Sequence, residues 1–591
     1  MKRKKAVIAI LACALTAGYT LSGGVGAFQT GSVNAQETEA DSSRQAADEE
    51  VQEQTVSQKS IILNVGNDET SRNLTWYANT EEAGEVQYAV KSGDAFPENY
   101  ETVKAVSNVA NDPGFYTNQA TLRNLTENTE YVYRVKNGDV VSDMYSFTTG
   151  DYDGSFSFAL VGDPQIGTGD LQNGIEGWNA TLDVIQTKLN PDFILSAGDQ
   201  VNTASNETEY AGYLNDTLAS IPSASTVGNH DSKSNAYGQH FNLPNESADL
   251  GTSEAGGDYW FVYNNTLFMD LNSNDRSTAE HKAFMEEAIA ANPDVKWKTV
   301  VFHHSIYSTA SHVDDSDIIT RREELPQVFE ELDIDVVLMG HDHVYTRTYM
   351  MDGFTPDTSN GVQSSVTDPT GILYLTANSG SGSKYYDIKA ADAEYAAKQD
   401  QSYRRTVTDI EVSDTSYKLT TYYADDMSVL DSFTINKTPE KDTSALESLV
   451  KEASGFKEEA YTAESWNVFA SALVKANEVL ADESAVQDTV DEAYHTLKAA
   501  MDGLVKKEDT GTQDGQANQG GQTNQGGQTD AGNNQGENQN RPVSTPSTAD
   551  KKQPQSSSKQ PKTGDTTNAA AAGLMLAGAT GVAACLLRRK K

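Results

Sequence analysis

Cysteine is nearly absent from this chain of 591 residues: there are two, Cys13 and Cys585, each within an apolar stretch near one end. The interval between them has no thiol for a disulfide, so its stability must come from packing, from bound metal, or from both. Positive charge is the second shortage, with 44 Lys and Arg against 86 Asp and Glu and a formal net charge of −42. Such an acidic surface argues against nucleic acid or an anionic membrane as a partner. It also repels an anionic substrate at long range, so any phosphate site must be locally positive.

The two ends read as processing segments. Met1-Lys2-Arg3-Lys4-Lys5 precedes an apolar run from Ala6 to Ala17 and a small-residue site at Val33-Asn34-Ala35. This is the pattern of a secretory signal peptide, residues 1–35, and the run is short for a membrane span. At the other end, Gln560-Pro561-Lys562-Thr563-Gly564 precedes the apolar Ala569 to Leu587 and the basic Arg588-Arg589-Lys590-Lys591. That order resembles a Gram-positive cell-wall sorting signal, residues 560–591, with Gln560 where the family usually has leucine. The resemblance implies sortase cleavage between Thr563 and Gly564 and attachment to peptidoglycan at the cell wall. A simple membrane anchor is the other reading that the apolar length permits. Removing both segments removes both cysteines. It also takes away four positive charges at one end and a net three at the other, leaving −49.

Between the ends the pattern changes several times. Residues 36 to about 57 are acidic and polar, as in a disordered leader. Over 58–150 the pattern is β, with an expected buried Trp76 and an alternating run through Tyr131-Val132-Tyr133-Arg134-Val135. The order of Leu125, a polar turn and Thr129-x-Tyr131 resembles the tyrosine corner of fibronectin type III-like sandwiches; any small β-sandwich remains the other reading. Over 155–437, strands alternate with amphipathic helices (Ile175, Trp178, Leu182, Ile185, Leu189; then Leu325, Val328, Phe329, Leu332), which implies an α/β core. Three apolar-periodic segments over 441–506 predict a three-helix bundle. Tyr461-Thr462-Ala463-Glu464-Ser465-Trp466 and the apolar pairs behind it resemble the FIVAR module of bacterial surface proteins, implying a spacer or a glycan-binding role. Residues 507–559, with a repeated Asn-Gln-Gly-Gly-Gln-Thr, read as a flexible linker.

Five segments of the α/β region share one design, an apolar strand that delivers polar residues at its C-terminal end. They are Gly162-Asp163-Pro164-Gln165, Gly198-Asp199-Gln200, Gly228-Asn229-His230-Asp231, His303-His304 and Gly340-His341-Asp342-His343. Ligand sites of α/β sheets lie beyond the carboxyl ends of strands, so the five should converge. Glycine ahead of the polar residue permits a tight turn and a close approach. Aspartate, asparagine, glutamine and histidine without sulfur suit manganese, iron or zinc. A carboxylate can bridge two such ions about 3.5–4 Å apart. A lone Gly-Asp or Gly-His would be an ordinary turn, but five of the nine histidines fall in these motifs, and four of them, His230, His303, His341 and His343, are the candidates that favour metal binding.

The ordered set resembles the calcineurin-like metallophosphoesterases, in particular the purple acid phosphatase-like branch with an N-terminal β-sandwich. The resemblance implies a four-layer α/β sandwich, two divalent metal ions (manganese, iron or zinc) and a phosphate-ester substrate attacked by a metal-held hydroxide. It places Asp163 and His343 on a first metal and Asn229, His303 and His341 on a second, with Asp199 between them. His230 is implied beside the substrate phosphate as a catalytic group, with His312 as a further proton-donor candidate. Two positions depart from the pattern. Asn202 stands where the purple enzymes have an iron-binding tyrosine, so a colourless enzyme is expected. Gln165 stands where the wider superfamily often has a histidine, and is either a metal ligand or a hydrogen-bonding neighbour of one. His304, Tyr307 and Arg347 have structural readings at least as good as functional ones. The rivals to a phosphoesterase are a non-catalytic surface adhesin and a pyrophosphatase-type hydrolase of nucleotide sugars.

Overall fold

The computed structural model describes residues 55–439, 441–482 and 485–508. The expected signal peptide, the sorting signal and residues 509–559 of the expected linker lie outside them.

Two sheets face each other through a dense aromatic core. Phe158 and Phe193, on adjacent strands of one sheet, stack at 5.0 Å, and Phe268 of the other sheet meets them edge-on at 5.3 and 5.5 Å. Apolar strands with no polar face are what burial on both sides requires. Phe156–Val161, Phe193–Ser196 and Ser223–Ser225 run parallel in the first sheet. In the second, Thr266–Leu271, Trp297–Phe302, Val336–Met339 and Leu373–Thr376 run parallel. The helix Leu171–Val184 packs Trp178 and Leu182 into the core of the first sheet. It starts where the Asp170 carboxylate accepts the Asn173 N–H at 2.9 Å, an N-cap that satisfies one orphan donor. The helices Thr278–Ala291 and Ser316–Glu331 cover the second sheet through Phe284, Met285, Leu325 and Phe329.

The N-terminal β region is a sandwich with its own core of Leu74, Trp76, Val86, Tyr133 and Phe147. The Thr126 N–H donates to the Tyr131 hydroxyl at 2.9 Å, which closes the turn ahead of the strand Glu130–Asn137. One of the sandwich's two sheets does not stop at its boundary. Gln58–Val65 lies parallel to Ser223–Ser225, with Asn64 opposite Ser223 and the Asn64 amide donating to the Ser223 carbonyl at 3.1 Å. A single eleven-stranded sheet therefore runs from the sandwich into the α/β domain.

Among the described residues beyond Asn436 are three α-helices, Ser444–Ala453, Ala463–Ala481 and Gln487–Asp502. Leu446, Leu449, Phe469, Ala476, Val490 and Leu497 form their common buried face.

Candidate metal centre and active site

All five polar strand ends meet at one place. The ligand atoms of Asp163, Asp199 and His303 lie within 4.8 Å of one another. His303 Nε2 is 3.4 Å from Asp199 Oδ2, 3.9 Å from Asp163 Oδ1 and 3.0 Å from Asn229 Oδ1. His341 Nδ1 lies 3.1 Å from His303 Nε2, and His343 Nε2 lies 3.6 Å from Asp163 Oδ1. Asp163, Asp199, His303 and His343 are at most 2% exposed. Asn229, His230 and His341 are only half-buried, so the site opens on their side.

Reaching this geometry strains the backbone. Asp163, Gln165, Asp199, His341 and His343 have φ of 38°, 37°, 52°, 72° and 46°, all in the left-handed region. Each such residue costs about 1 kcal/mol or more, and clusters of this kind are found where function requires a fixed geometry. Glycines make the close approach possible. A Cβ on Gly198 would sit 2.4 Å from His303 Nδ1, and one on Gly228 would sit 2.0 Å from an Asp199 oxygen.

Hydrogen bonds fix the tautomers. His303 Nδ1–H donates to the Ala197 carbonyl at 2.9 Å and His343 Nδ1–H to the Lys384 carbonyl at 2.9 Å, so each presents Nε2 to the centre. Such outer partners orient metal-binding imidazoles. Burial lowers His343 to about 3 and holds His341 well below its usual range, keeping both neutral. Burial opposes a charge on His303 too, but the Asp199 and Asp163 carboxylates beside it prevail and raise it to about 9. Burial also pushes the Asp163 carboxyl well up, whereas His303 outweighs burial at Asp199 and draws it down to about 2.

The donor set fits metal ions. His303 Nε2, His343 Nε2, His341 Nδ1, Asn229 Oδ1 and the carboxylates of Asp163 and Asp199 come together here. A divalent cation satisfies all of them at once, and this mixture of oxygen and neutral imidazole nitrogen suits manganese, iron or zinc. Gln165 belongs to the same turn. Its N–H donates to the Asp199 carbonyl at 2.7 Å and its side-chain Nε2 reaches Asn202 Oδ1 at 3.4 Å. Gln165 is 1% exposed, yet its Oε1 has no hydrogen-bond partner, the state of an amide oxygen left free for a cation. Asn202, where a tyrosine would bring a phenolate, accepts from the Thr168 hydroxyl at 2.7 Å.

The other sequence candidates divide clearly. His230 is beside the centre, its backbone N–H donating to Asp199 Oδ1 at 2.9 Å and its Nδ1–H to the Asn202 carbonyl at 2.7 Å. His312 stacks on His341 at 3.9 Å, with its Nδ1 bonded to Asp315 at 2.7 Å. His304 is held by the Ser273 hydroxyl at 2.8 Å and packs against His303 and His341. Arg347 pairs with Asp431 at 2.6 Å, and Tyr307 packs in the core with Tyr374 and Tyr395; both have structural roles.

Several supporting residues had no role assigned to them in the motif reading. Asp342 is fully buried and accepts from Ser308 Oγ at 2.8 Å and from the Thr309 and Ala310 N–H groups, each at 3.0 Å, which fixes the approach to His312. A sixth strand end, following Leu373–Thr376, clamps the Asp163 turn. Gly380 N–H donates to the Gly162 carbonyl at 2.6 Å, and the Ser379 hydroxyl donates to the Asp163 carbonyl at 3.1 Å. Its sequence, Leu373-Tyr-Leu-Thr followed by Ala-Asn-Ser-Gly-Ser-Gly-Ser, obeys the rule that marked the other five.

Comparison with known proteins agrees with this architecture. Residues 157–345, which carry all five motifs, match the calcineurin-like phosphoesterase family, and residues 58–149 match the purple acid phosphatase N-terminal domain. A purple acid phosphatase from yellow lupin seeds superposes with a TM-score of 0.54 at 17% identity, over 64% of this chain and 74% of that one. An uncharacterized protein of Mycobacterium tuberculosis is 25% identical over 317 residues, 45% of this chain and 58% of the relative. A probable inactive purple acid phosphatase of Arabidopsis thaliana is 24% identical, over 40% of this chain and 44% of its own length. The chain thus spans 44 to 58% of the length of these curated relatives. It has a purple acid phosphatase-like fold, a β-sandwich followed by a metallophosphoesterase α/β domain.

Proposed function

We propose that the chain is a secreted, wall-anchored phosphoesterase that hydrolyses phosphate esters at a two-metal centre. The observation that carries this reading is the convergence of oxygen and imidazole nitrogen donors at the strand ends. Asp163, Gln165, Asp199 and His343 would hold one ion, and Asp199, Asn229, His303 and His341 the other. When bound, two divalent ions supply Lewis acidity toward the phosphoryl oxygens and the attacking water. The remaining work falls to side chains. His230, its Nδ1–H committed to Asn202, offers Nε2 to the phosphoryl group or the departing oxygen. His312, oriented by Asp315, offers a second proton donor on the His341 side. Asp342 and the Ser379 loop keep these groups in register.

The segment resemblances complete the proposal. Secretion rests on residues 1–35 and wall attachment on residues 560–591. The three helices over 441–506 act as a FIVAR-like spacer, and the sandwich is fibronectin III-like.

Purified residues 36–559 should bind two metal ions per chain and turn over aryl phosphate mono- or diesters. Asp199→Ala should lose both properties. Wild type with bound metal and no turnover on either ester would overturn the enzyme reading in favour of an adhesin. Cleavage of nucleotide sugars in preference to aryl esters would identify the pyrophosphatase alternative.

A further inference from the structure

We propose that the cleft beside His230 is the leaving-group subsite, and that it selects small hydroxylated leaving groups bearing an anionic group of their own, with Lys233 as their cationic contact. This deepens the phosphoesterase reading and rests on it.

The centre is closed by protein on the side of Asp163, His303 and His343 and opens past Asn229 and His230. On that side lies a cleft of about 240 Å³ lined by residues 202–205, Asn229, His230 and Lys233. It shares Asn229 and His230 with the centre, so a group bonded to phosphorus beside His230 extends into it. Its volume is below the roughly 300–1,000 Å³ of pockets for drug-sized ligands, which fits a sugar or short polyol rather than a whole nucleotide.

The lining is chemically unusual for this molecule. In a chain with a net charge of −42, the cleft has one lysine and no carboxylate. Many lysines here are ion-paired, among them Lys59 with Asp112 and Lys91 with Glu130. Among the described residues Lys233 has no such partner, so its charge is uncompensated within the cleft. Thr203 and Ser205 add exposed hydroxyls and Asn202 an amide, suited to polyol oxygens.

The wall is also prebuilt. Glu209, 6% exposed, accepts the Thr203 N–H at 2.6 Å and the Asn206 amide at 2.8 Å, and so holds the 202–206 loop from beneath. From the N-terminal sandwich, Asn111 Nδ2 donates to the Ser205 carbonyl at 3.1 Å and to Glu207 Oε1 at 2.9 Å. The sandwich therefore buttresses the rim of the cleft, and a preorganised wall lowers the ordering cost of binding.

The test compares the metal-loaded full chain with Lys233→Met and with Lys188→Met, a charge-matched control on the helix Ile185–Leu189, which lines no part of the cleft. By calorimetry, Lys233→Met should weaken methylenediphosphonate about tenfold relative to inorganic phosphate, whereas Lys188→Met should leave that ratio at the wild-type value. In turnover, the ratio of kcat/KM for fructose 1,6-bisphosphate to that for phenyl phosphate should also fall about tenfold with Lys233→Met. Equal effects on both probes, or the same effect from both variants, would overturn the subsite. A wild type that hydrolyses neither ester would instead remove the phosphoesterase reading, and the calorimetric ratio would still decide the cleft.

Discussion

His303 and His341 face each other ring nitrogen to ring nitrogen at 3.1 Å, and the Asn229 amide oxygen reaches the same His303 nitrogen at 3.0 Å. The Asp199 and Asp163 carboxylates beside His303 favour a proton on that nitrogen. A metal held among these groups would take that proton's place.

Metal should therefore stabilise the fold as well as enable turnover. Saturating manganese or zinc should raise the melting midpoint, by about 2.7 kcal/mol of stability at a hundredfold excess over Kd. Differential scanning calorimetry of chelated and reloaded protein measures this, and Asp199→Ala should abolish the increment. An identical midpoint with and without metal would contradict it.

Gln165 should behave as a ligand. Its orphaned Oε1 predicts that Gln165→Leu binds one ion fewer per chain than wild type, measured by elemental analysis after gel filtration, and that Gln165→His gains zinc affinity. Unchanged metal content in both variants would reduce Gln165 to a hydrogen-bonding neighbour through Asn202.

Asp342 should matter for stability and rate together. Replacing it by alanine strands the buried Thr309 and Ala310 N–H groups, at a cost of about 3 kcal/mol in unfolding free energy. Because the same loop leads to His312, kcat should fall in step. Urea unfolding and steady-state kinetics of Asp342→Ala check both.

One pH effect lies away from the centre. Burial, with Glu411 adding to it, raises Asp409 to about 6. The folded state then holds this proton more tightly than the unfolded one, so stability is lost as pH rises from about 4 to 6. Asp409→Asn should melt higher than wild type at pH 7 and level with it at pH 4. A constant difference across that range would refute the assignment.

Much of the centre was legible in the sequence because each candidate ligand sits at the end of an apolar run, and apolar runs in an α/β pattern end on one side of their sheets. That rule picks out the segments that hold Asp163, Asp199, Asn229, His303, His341 and His343, while the choice of these residues within them rests on the resemblance to metallophosphoesterases. The Ser379 clamp obeys it too, but serine and glycine carry no metal chemistry to draw attention. The left-handed turns at Asp163, Gln165 and His341 were hidden for another reason: aspartate, glutamine and histidine reveal no backbone preference strong enough to read. The joining of Gln58–Val65 to Ser223–Ser225 was beyond reach altogether, since nothing local in either strand names a partner so distant in the chain.

That joining bears on how the protein can be divided. Family boundaries suggest a cut near residue 150, giving a free α/β domain. Such a fragment would leave Ser223–Ser225 as a naked sheet edge, with its backbone donors and acceptors ready to recruit a second molecule. The sandwich is thus the domain's edge guard, and the fragment without it is expected to self-associate.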